Sequence, residues 1–199
     1  WTVQKLKIYL EKEKMSLKII DPTLRPSQNY GGSVEVYSVE KEGQLYILKW
    51  AKKGNKNDKF SRYGENAIRR EARLLERAAG VHGITHLVET YGSVGDYVAI
   101  RKEHFPGASL GMLKQIGRKI EDKGLMKKLC RTVEDLHSLG IVDLEIAPRN
   151  VVIHPFQEDL RLIEIASGKV RENMSENNFN KYRNQDWKDL ENLETDCFF

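Results

Sequence analysis

Cysteine is scarce: Cys130 and Cys197 are the only two in a chain of 199 residues, and they make no Cys-x-x-Cys pair. That excludes a disulfide framework and makes a reducing compartment the expectation, cytoplasmic or nuclear. No run of 18 apolar residues exists, so no membrane partner is expected. The opening residues Trp1-Thr2-Val3-Gln4-Lys5 lack the basic-then-apolar pattern of a secretory signal. They also lack Met, so the numbering is expected to start inside a longer or processed chain. The five histidines are scattered. His82 and His86 stand four apart, but Gly83 and the β-formers between them argue against a helical metal pair. Neither sign of charge dominates: 33 Lys and Arg face 29 Asp and Glu, a net charge of +4. That favours an anionic ligand but is too mild to imply nucleic acid as a partner.

What is present is a globular composition, 40% hydrophobic and 31% charged. The length allows one substantial core or two small lobes. Residues 1–20 alternate apolar and charged and predict one or two strands, though a short helix also fits. Asp21–Asn29, with Pro22 and Pro26, predicts a loop. Val34–Val39 and Leu45–Trp50 predict strands joined by a hairpin turn at Lys41-Glu42-Gly43. Lys52–Gly64 is polar and basic and predicts a mobile connector. Asn66–Ala79 predicts a helix with Ile68, Ala72, Leu75 and Ala79 as its stripe and Gly80 as its stop. Ile84–Tyr91 and Tyr97–Lys102 predict two further strands. His104-Phe105-Pro106-Gly107-Ala108 breaks the pattern. Helices follow at Ser109–Ile116 and Lys123–Leu139, then a loop and a two-strand ribbon. Residues 171–185 are polar and Asn-rich and predict disorder, before a last helix at Asp186–Leu193. The order of elements is that of a bilobal α+β protein.

The most informative segment runs from Ile141 to Ile153. Glu145 stands five residues before Asn150, with Pro148 between them, and a β-branched run follows. Glu164 then offers a second carboxylate in the strand Leu162-Ile163-Glu164-Ile165. Carboxylate, Asn and carboxylate on such a ribbon is how a phosphotransferase builds a proton acceptor and a Mg²⁺ site. Lys49 closes the apolar strand Tyr46-Ile47-Leu48-Lys49. Glu71 lies beside the apolar stripe of its helix, where a carboxylate needs a partner, and Lys49 is the candidate. The alternatives are a solvent-facing Lys49 and a Glu71 paired with Arg69, Arg70 or Arg73. Gly31-Gly32 lets backbone N–H groups approach phosphate oxygens, or is an ordinary turn before a strand.

These residues together resemble the protein-kinase-like superfamily over about residues 28–195. The resemblance implies a bilobal fold: an N-lobe over 1–102, with an N-terminal extension, a five-stranded sheet and one helix, and a shortened helical C-lobe over 103–199. Glu145 stands at the family's catalytic Asp, Asn150 at its metal-binding Asn, and Glu164 at the Asp of its DFG motif. Lys49 and Glu71 match the lysine–glutamate pair whose lysine holds the α- and β-phosphates. Gly31 and Gly32 fall in the phosphate-covering turn, with Glu35 beside it. Glu103 and Phe105, around His104, fall at the hinge that meets an adenine edge. Asp143 and Leu144 replace the family's His and Arg. Asp186, or equally Asp189, matches the helix aspartate that braces the catalytic loop. The segments Leu136–Ile141 and Ala147–Val151 look most like minimal kinases, including RIO-like and small fungal kinase-like proteins. The implied cofactors are ATP and Mg²⁺, weakly held, because both acids are one methylene too long. The expected function is that of a pseudokinase acting on a protein partner as a binding or regulatory module. The alternative is an atypical ATP-dependent phosphotransferase of the serine/threonine type, using Glu145 and Glu164. A third reading, motivated by the basic stretch Lys49–Arg62, is an RNA-associated protein on the same scaffold.

Overall fold

The hairpin at Glu42-Gly43 shows how local sequence sets the architecture. Both turn residues take positive φ, 55° and 79°, as a two-residue turn between right-twisted strands requires. In the computed structural model, residues 18–21, 34–54, 59–93 and 95–199 are described. Among them the fold is mixed α+β, with antiparallel sheets and four α-helices. The chain divides into two compact units, Trp1–Ala72 with His86–His104, and Arg73–Thr85 with Phe105–Phe199.

The first unit holds a five-stranded antiparallel sheet: β1 Lys18–Asp21, β2 Val34–Lys41, β3 Gln44–Lys52, β4 Leu87–Thr90 and β5 Tyr97–Glu103, in the order β1-β2-β3-β5-β4. Alternation splits β3 between two faces. Leu48 and Trp50 join Tyr37, Val39, Tyr97 and Ala99 in one apolar cluster. The Trp50 and Tyr97 rings stack there at 4.3 Å. Lys49 and Ala51 point the other way. Strand β5, paired on both sides, is buried over its first six residues. Helix α1, Lys59–Arg77, buries Ala67, Ile68, Glu71 and Ala72; its last residues group with the second unit.

Three expectations change here. The connector predicted over Lys52–Gly64 is helical from Lys59 onward. Glu65 explains part of this, since its carboxylate accepts the Gly54 N–H at 2.8 Å and the Arg69 Nε–H at 2.9 Å, tying the helix to the end of β3. Ala79 is exposed, and Ala78 takes its place in the buried stripe. The strand predicted over Ile84–Tyr91 is regular only at Leu87–Thr90, with Ile84 making an isolated bridge to Leu162. The readings of residues 1–17 and 22–29 lie outside the described residues.

The second unit holds β6 Ala108–Ser109, α2 Leu110–Gln115, α3 Lys123–Ser138, β7 Ile141–Val142, β8 Val151–Ile153, β9 Leu160–Leu162, β10 Lys169–Val170 and α4 Glu176–Cys197. Strands β6-β8-β9 form one sheet and β10-β7 another. Side-chain caps start the helices: Ser109 accepts the Met112 N–H at 3.2 Å, and Asp122 the Gly124 N–H at 2.7 Å. Helix α3 buries Leu125, Met126, Leu129, Val133 and Leu136. The disorder predicted over 171–185 is overturned, because α4 begins at Glu176 under a Ser175 cap. Its early turns are polar by composition, yet Phe179 anchors them and Asp186, Leu190, Leu193 and Cys197 continue the buried side. Two clusters, one from each unit, carry the candidate chemistry.

Candidate functional site

In the first unit, Lys49 lies inside β3 and not at the strand end expected for it, because β3 continues to Lys52; it stands opposite Val36 on β2 and Ile100 on β5. Its ammonium reaches both carboxylate oxygens of Glu71, at 2.9 and 2.7 Å. Lys102 of β5 donates to the same carboxylate at 2.5 Å. All three are buried, at 4%, 1% and 2% exposure, so the attraction acts at low dielectric and offsets a large desolvation cost. Burial also removes Lys49 from the basic stretch proposed for RNA. Sequence reasoning missed Lys102. The signal was available: it stands two and four residues after Ile100 and Val98, so its side chain shares their face of β5.

The remaining first-unit candidates have other contacts. Gly31 and Gly32 lie outside the described residues. The Glu35 carboxylate accepts the Tyr37 hydroxyl at 2.5 Å, and burial together with that carboxylate pushes the Tyr37 hydroxyl well above its ordinary value. Glu103 ends β5; its carboxylate accepts the His86 N–H at 3.2 Å, and its own N–H donates to the His86 carbonyl at 2.9 Å. Phe105 belongs to the second unit, where its ring lies edge-on to His154 at 5.7 Å and under the Arg161 guanidinium at 5.3 Å.

In the second unit, β7 runs into the Glu145 loop through two non-glycine residues of positive φ, Asp143 at 63° and Glu145 at 52°. Such conformations cost energy and persist only where surroundings enforce them. Asp186 does much of the enforcing. This α4 carboxylate, 1% exposed, accepts the backbone N–H groups of Asp143 at 3.0 Å and Leu144 at 2.8 Å. His137 Nε2 lies 2.9 Å from the same carboxylate. Asp189 instead accepts the Gln185 amide, so Asp186 is the residue that braces the loop. Leu144 is fully buried. Asp143 turns its side chain to Lys169 at 2.8 Å, and its carbonyl accepts the Ser167 hydroxyl at 3.0 Å. Burial pulls the Lys169 ammonium down, but hydrogen bonds to Asp143 and Tyr182 outweigh it and hold it above its ordinary value.

The structure brings Glu145 and Asn150 together. The Asn150 side-chain N–H donates to the Glu145 carbonyl at 2.9 Å. Their link is therefore backbone to amide, and the Glu145 carboxylate is ion-paired with Arg149. Glu164 accepts the backbone N–H of Ala166 at 3.0 Å, closing a local turn. Strand β9 ends at Leu162, so Glu164 lies just past the ribbon and not in the strand expected over Leu162–Ile165; Ile163 still sits beside Asn150, donating its N–H to the Asn150 carbonyl at 2.8 Å.

A magnesium ion fits this donor set in part. With its N–H committed to Glu145, Asn150 offers its oxygen, and Glu164 is a hard carboxylate of the kind Mg²⁺ takes. Among the described residues no three His, Cys, Asp or Glu side chains gather to hold a metal. Water and phosphate would have to supply the rest of an octahedral shell.

No protein-family model matches the chain. Among curated proteins it is similar to the death-associated protein kinase dapk-1 of Caenorhabditis elegans, 27% identical over 115 residues. That match takes in 57% of this chain and 8% of the kinase. The likeness is thus partial, and it indicates a kinase-like relationship. No helix among the described residues is long and apolar enough to cross a membrane.

Proposed function

We propose that the chain is a protein-kinase-like module that has lost most phosphotransfer and acts as a pseudokinase, through contact with a protein partner. The observation that carries this reading is the engagement of Glu145 by Arg149. A general base must reach the proton that it removes, and here an arginine four residues on holds that carboxylate. Glu164 adds to the case, since one of its oxygens is turned onto the Ala166 N–H. The buried pair of Lys49 and Glu71, together with the partial likeness to a kinase, supports the kinase-like part of the reading.

ATP and Mg²⁺ are proposed as weak ligands. In the first unit, Lys49 and Gly31-Gly32 are proposed as phosphate ligands; in the second, Asn150 and Glu164 are proposed as magnesium ligands, and the ion would supply positive charge there. The second reading, an atypical ATP-dependent phosphotransferase, is favoured by the loop itself: Asp186 still braces it, and Asn150 still bonds to Glu145.

One experiment separates the two. ATP turnover and thermal shift are measured on the full chain with ATP alone, with Mg²⁺ and with Mn²⁺. Small shifts that depend little on metal, without turnover, are expected. Turnover that Glu145→Ala abolishes would establish the phosphotransferase.

A further inference from the structure

A cavity of about 450 Å³ lies within the second unit, between the end of α3 and the first half of α4. Glu134 and His137 line it from one turn of α3. Phe179, Arg183 and Trp187 line it from α4, where a spacing of four residues puts them on one face. The volume is in the range of about 300–1,000 Å³ common to small-molecule sites.

Three features define what would fit. Arg183 is exposed and has no acidic partner among the described residues, whereas nearby Arg171 is committed to Glu176 at 2.8 Å and lies over Phe179. Trp187 supplies an aromatic wall, edge-on to His137 at 5.8 Å. Glu134 and His137 form the α3 wall: the exposed Glu134 carboxylate can accept from a donor, and His137 is 8% exposed. Its Nε2 already faces Asp186. A cavity lined by one uncommitted arginine and one glutamate also disfavours a polyanion, and favours a ligand with one anionic end and one donor end.

We propose that this cavity binds a small aromatic acid carrying a hydroxyl or amino group. Its carboxylate pairs with Arg183, its ring packs on Trp187 beside His137, and its donor turns to the Glu134 carboxylate. Occupancy is relayed to the Glu145 loop, because His137 bonds Asp186 and Asp186 holds the N–H groups of Asp143 and Leu144. The proposal does not depend on any phosphotransfer reading.

The test uses the ¹⁵N-labelled full chain with 4-hydroxybenzoate, 4-methoxybenzoate and phenol as probes, read by calorimetry and by NMR. Saturable binding of 4-hydroxybenzoate is expected, with movement of the His137 ring nitrogens and of the Asp143 and Leu144 amides. Arg183→Ala, and separately the methoxy probe, are each expected to weaken binding about tenfold, as the loss of one charge-assisted or donor contact does. Absence of saturation, affinity unchanged in Arg183→Ala, or phenol binding as tightly as 4-hydroxybenzoate would each overturn the proposal. Binding that leaves the His137 nitrogens and the loop amides unmoved would overturn the placement and the relay.

Discussion

Asp186 Oδ1 accepts the backbone N–H of Leu144 at 2.8 Å, from a helix 42 residues further along the chain. The other oxygen of Asp186 meets the Asp143 N–H and His137. One buried carboxylate thus satisfies two backbone donors in a loop that holds two left-handed residues. Asp186→Ala strands those donors, and an unmade buried hydrogen bond costs about 1–3 kcal/mol each. The expected loss is about 3 kcal/mol in urea unfolding, with Asp186→Asn, which keeps one acceptor, less costly. A loss under about 0.5 kcal/mol, the scale of a neutral surface change, would mean that the loop is held by something else.

Glu71 is the hub of the first unit. Removing its carboxylate leaves Lys49 and Lys102 buried without the charge they share. Breaking a buried pair by deleting one partner costs about 3–5 kcal/mol, so Glu71→Ala is expected to fall in that range by thermal or denaturant unfolding. Lys102→Met replaces a stem of similar length and leaves the Lys49–Glu71 pair intact, so a smaller loss is expected. If Lys102→Met were as damaging as Glu71→Ala, Lys102 would be the main partner of Glu71.

Much of this was legible because local rules and tertiary structure agree. Glu42-Gly43 is a turn by chemistry, and Lys123–Ser138 is a helix by period. The spacings of Lys49 to Glu71 and of Glu145 to Asn150 led to residues that do meet. The reading ran short where tertiary structure overrides composition. Nothing local marks the Asn-rich start of α4 as ordered; Phe179 is buried there, and Asp186 ties the helix to His137, Asp143 and Leu144. Pairwise reasoning found Glu71 one lysine and missed Lys102, because strand neighbours are set by pairing across the sheet. Arg149 was visible in the sequence, but only the fold of the loop brings it onto Glu145.

Gly107 has a φ of 149°, and a Cβ built there would lie 1.9 Å from the backbone oxygen of Ile153. That oxygen belongs to β8, which pairs with β6 beside the glycine, so it cannot step aside as a flexible side chain would. Gly107→Ala is expected to cost about 3 kcal/mol, strain and overpacking together, seen as a lowered Tm. A variant with the native Tm would show that the β6–β8 pairing is looser than its geometry.

Asp189 gives a pH-dependent prediction. Burial first, then the carboxylates of Asp186 and Asp143, hold it above the usual carboxylate range, against the Gln185 amide that pulls it down. A carboxyl with a raised folded-state pKa binds its proton more tightly in the folded protein. Its ionised form therefore costs stability above that pKa, and the cost vanishes as pH falls below the unfolded value. Asp189→Asn keeps an acceptor for Gln185 and removes the charge. It is expected to stabilise near neutral pH by about 0.5 kcal/mol, the scale of partly exposed charges, and to gain nothing near about pH 3. An equal gain at both pH values would rule out the charge as its cause.

The last prediction concerns the two long acids. If the pseudokinase reading holds because Glu145 and Glu164 each project one methylene too far, shortening both should recover phosphotransfer. Misplacement by about 1 Å can cost roughly a hundredfold in rate, or about 2–3 kcal/mol of barrier. Glu145→Asp also withdraws the carboxylate from Arg149, its ion-pair partner in the native loop. Glu164→Asp shortens the group that accepts the Ala166 N–H. The double variant is assayed for ATP turnover beside the native chain and beside the double variant with Arg149→Ala added. A rise of about a hundredfold in the double variant assigns the defect to side-chain length. A rise only when Arg149 is also removed assigns it to the ion pair. Silence in all three shifts the cause to Asp143 and Leu144, which stand where the protein kinases that the loop resembles have His and Arg, and leaves binding as what the loop can still do.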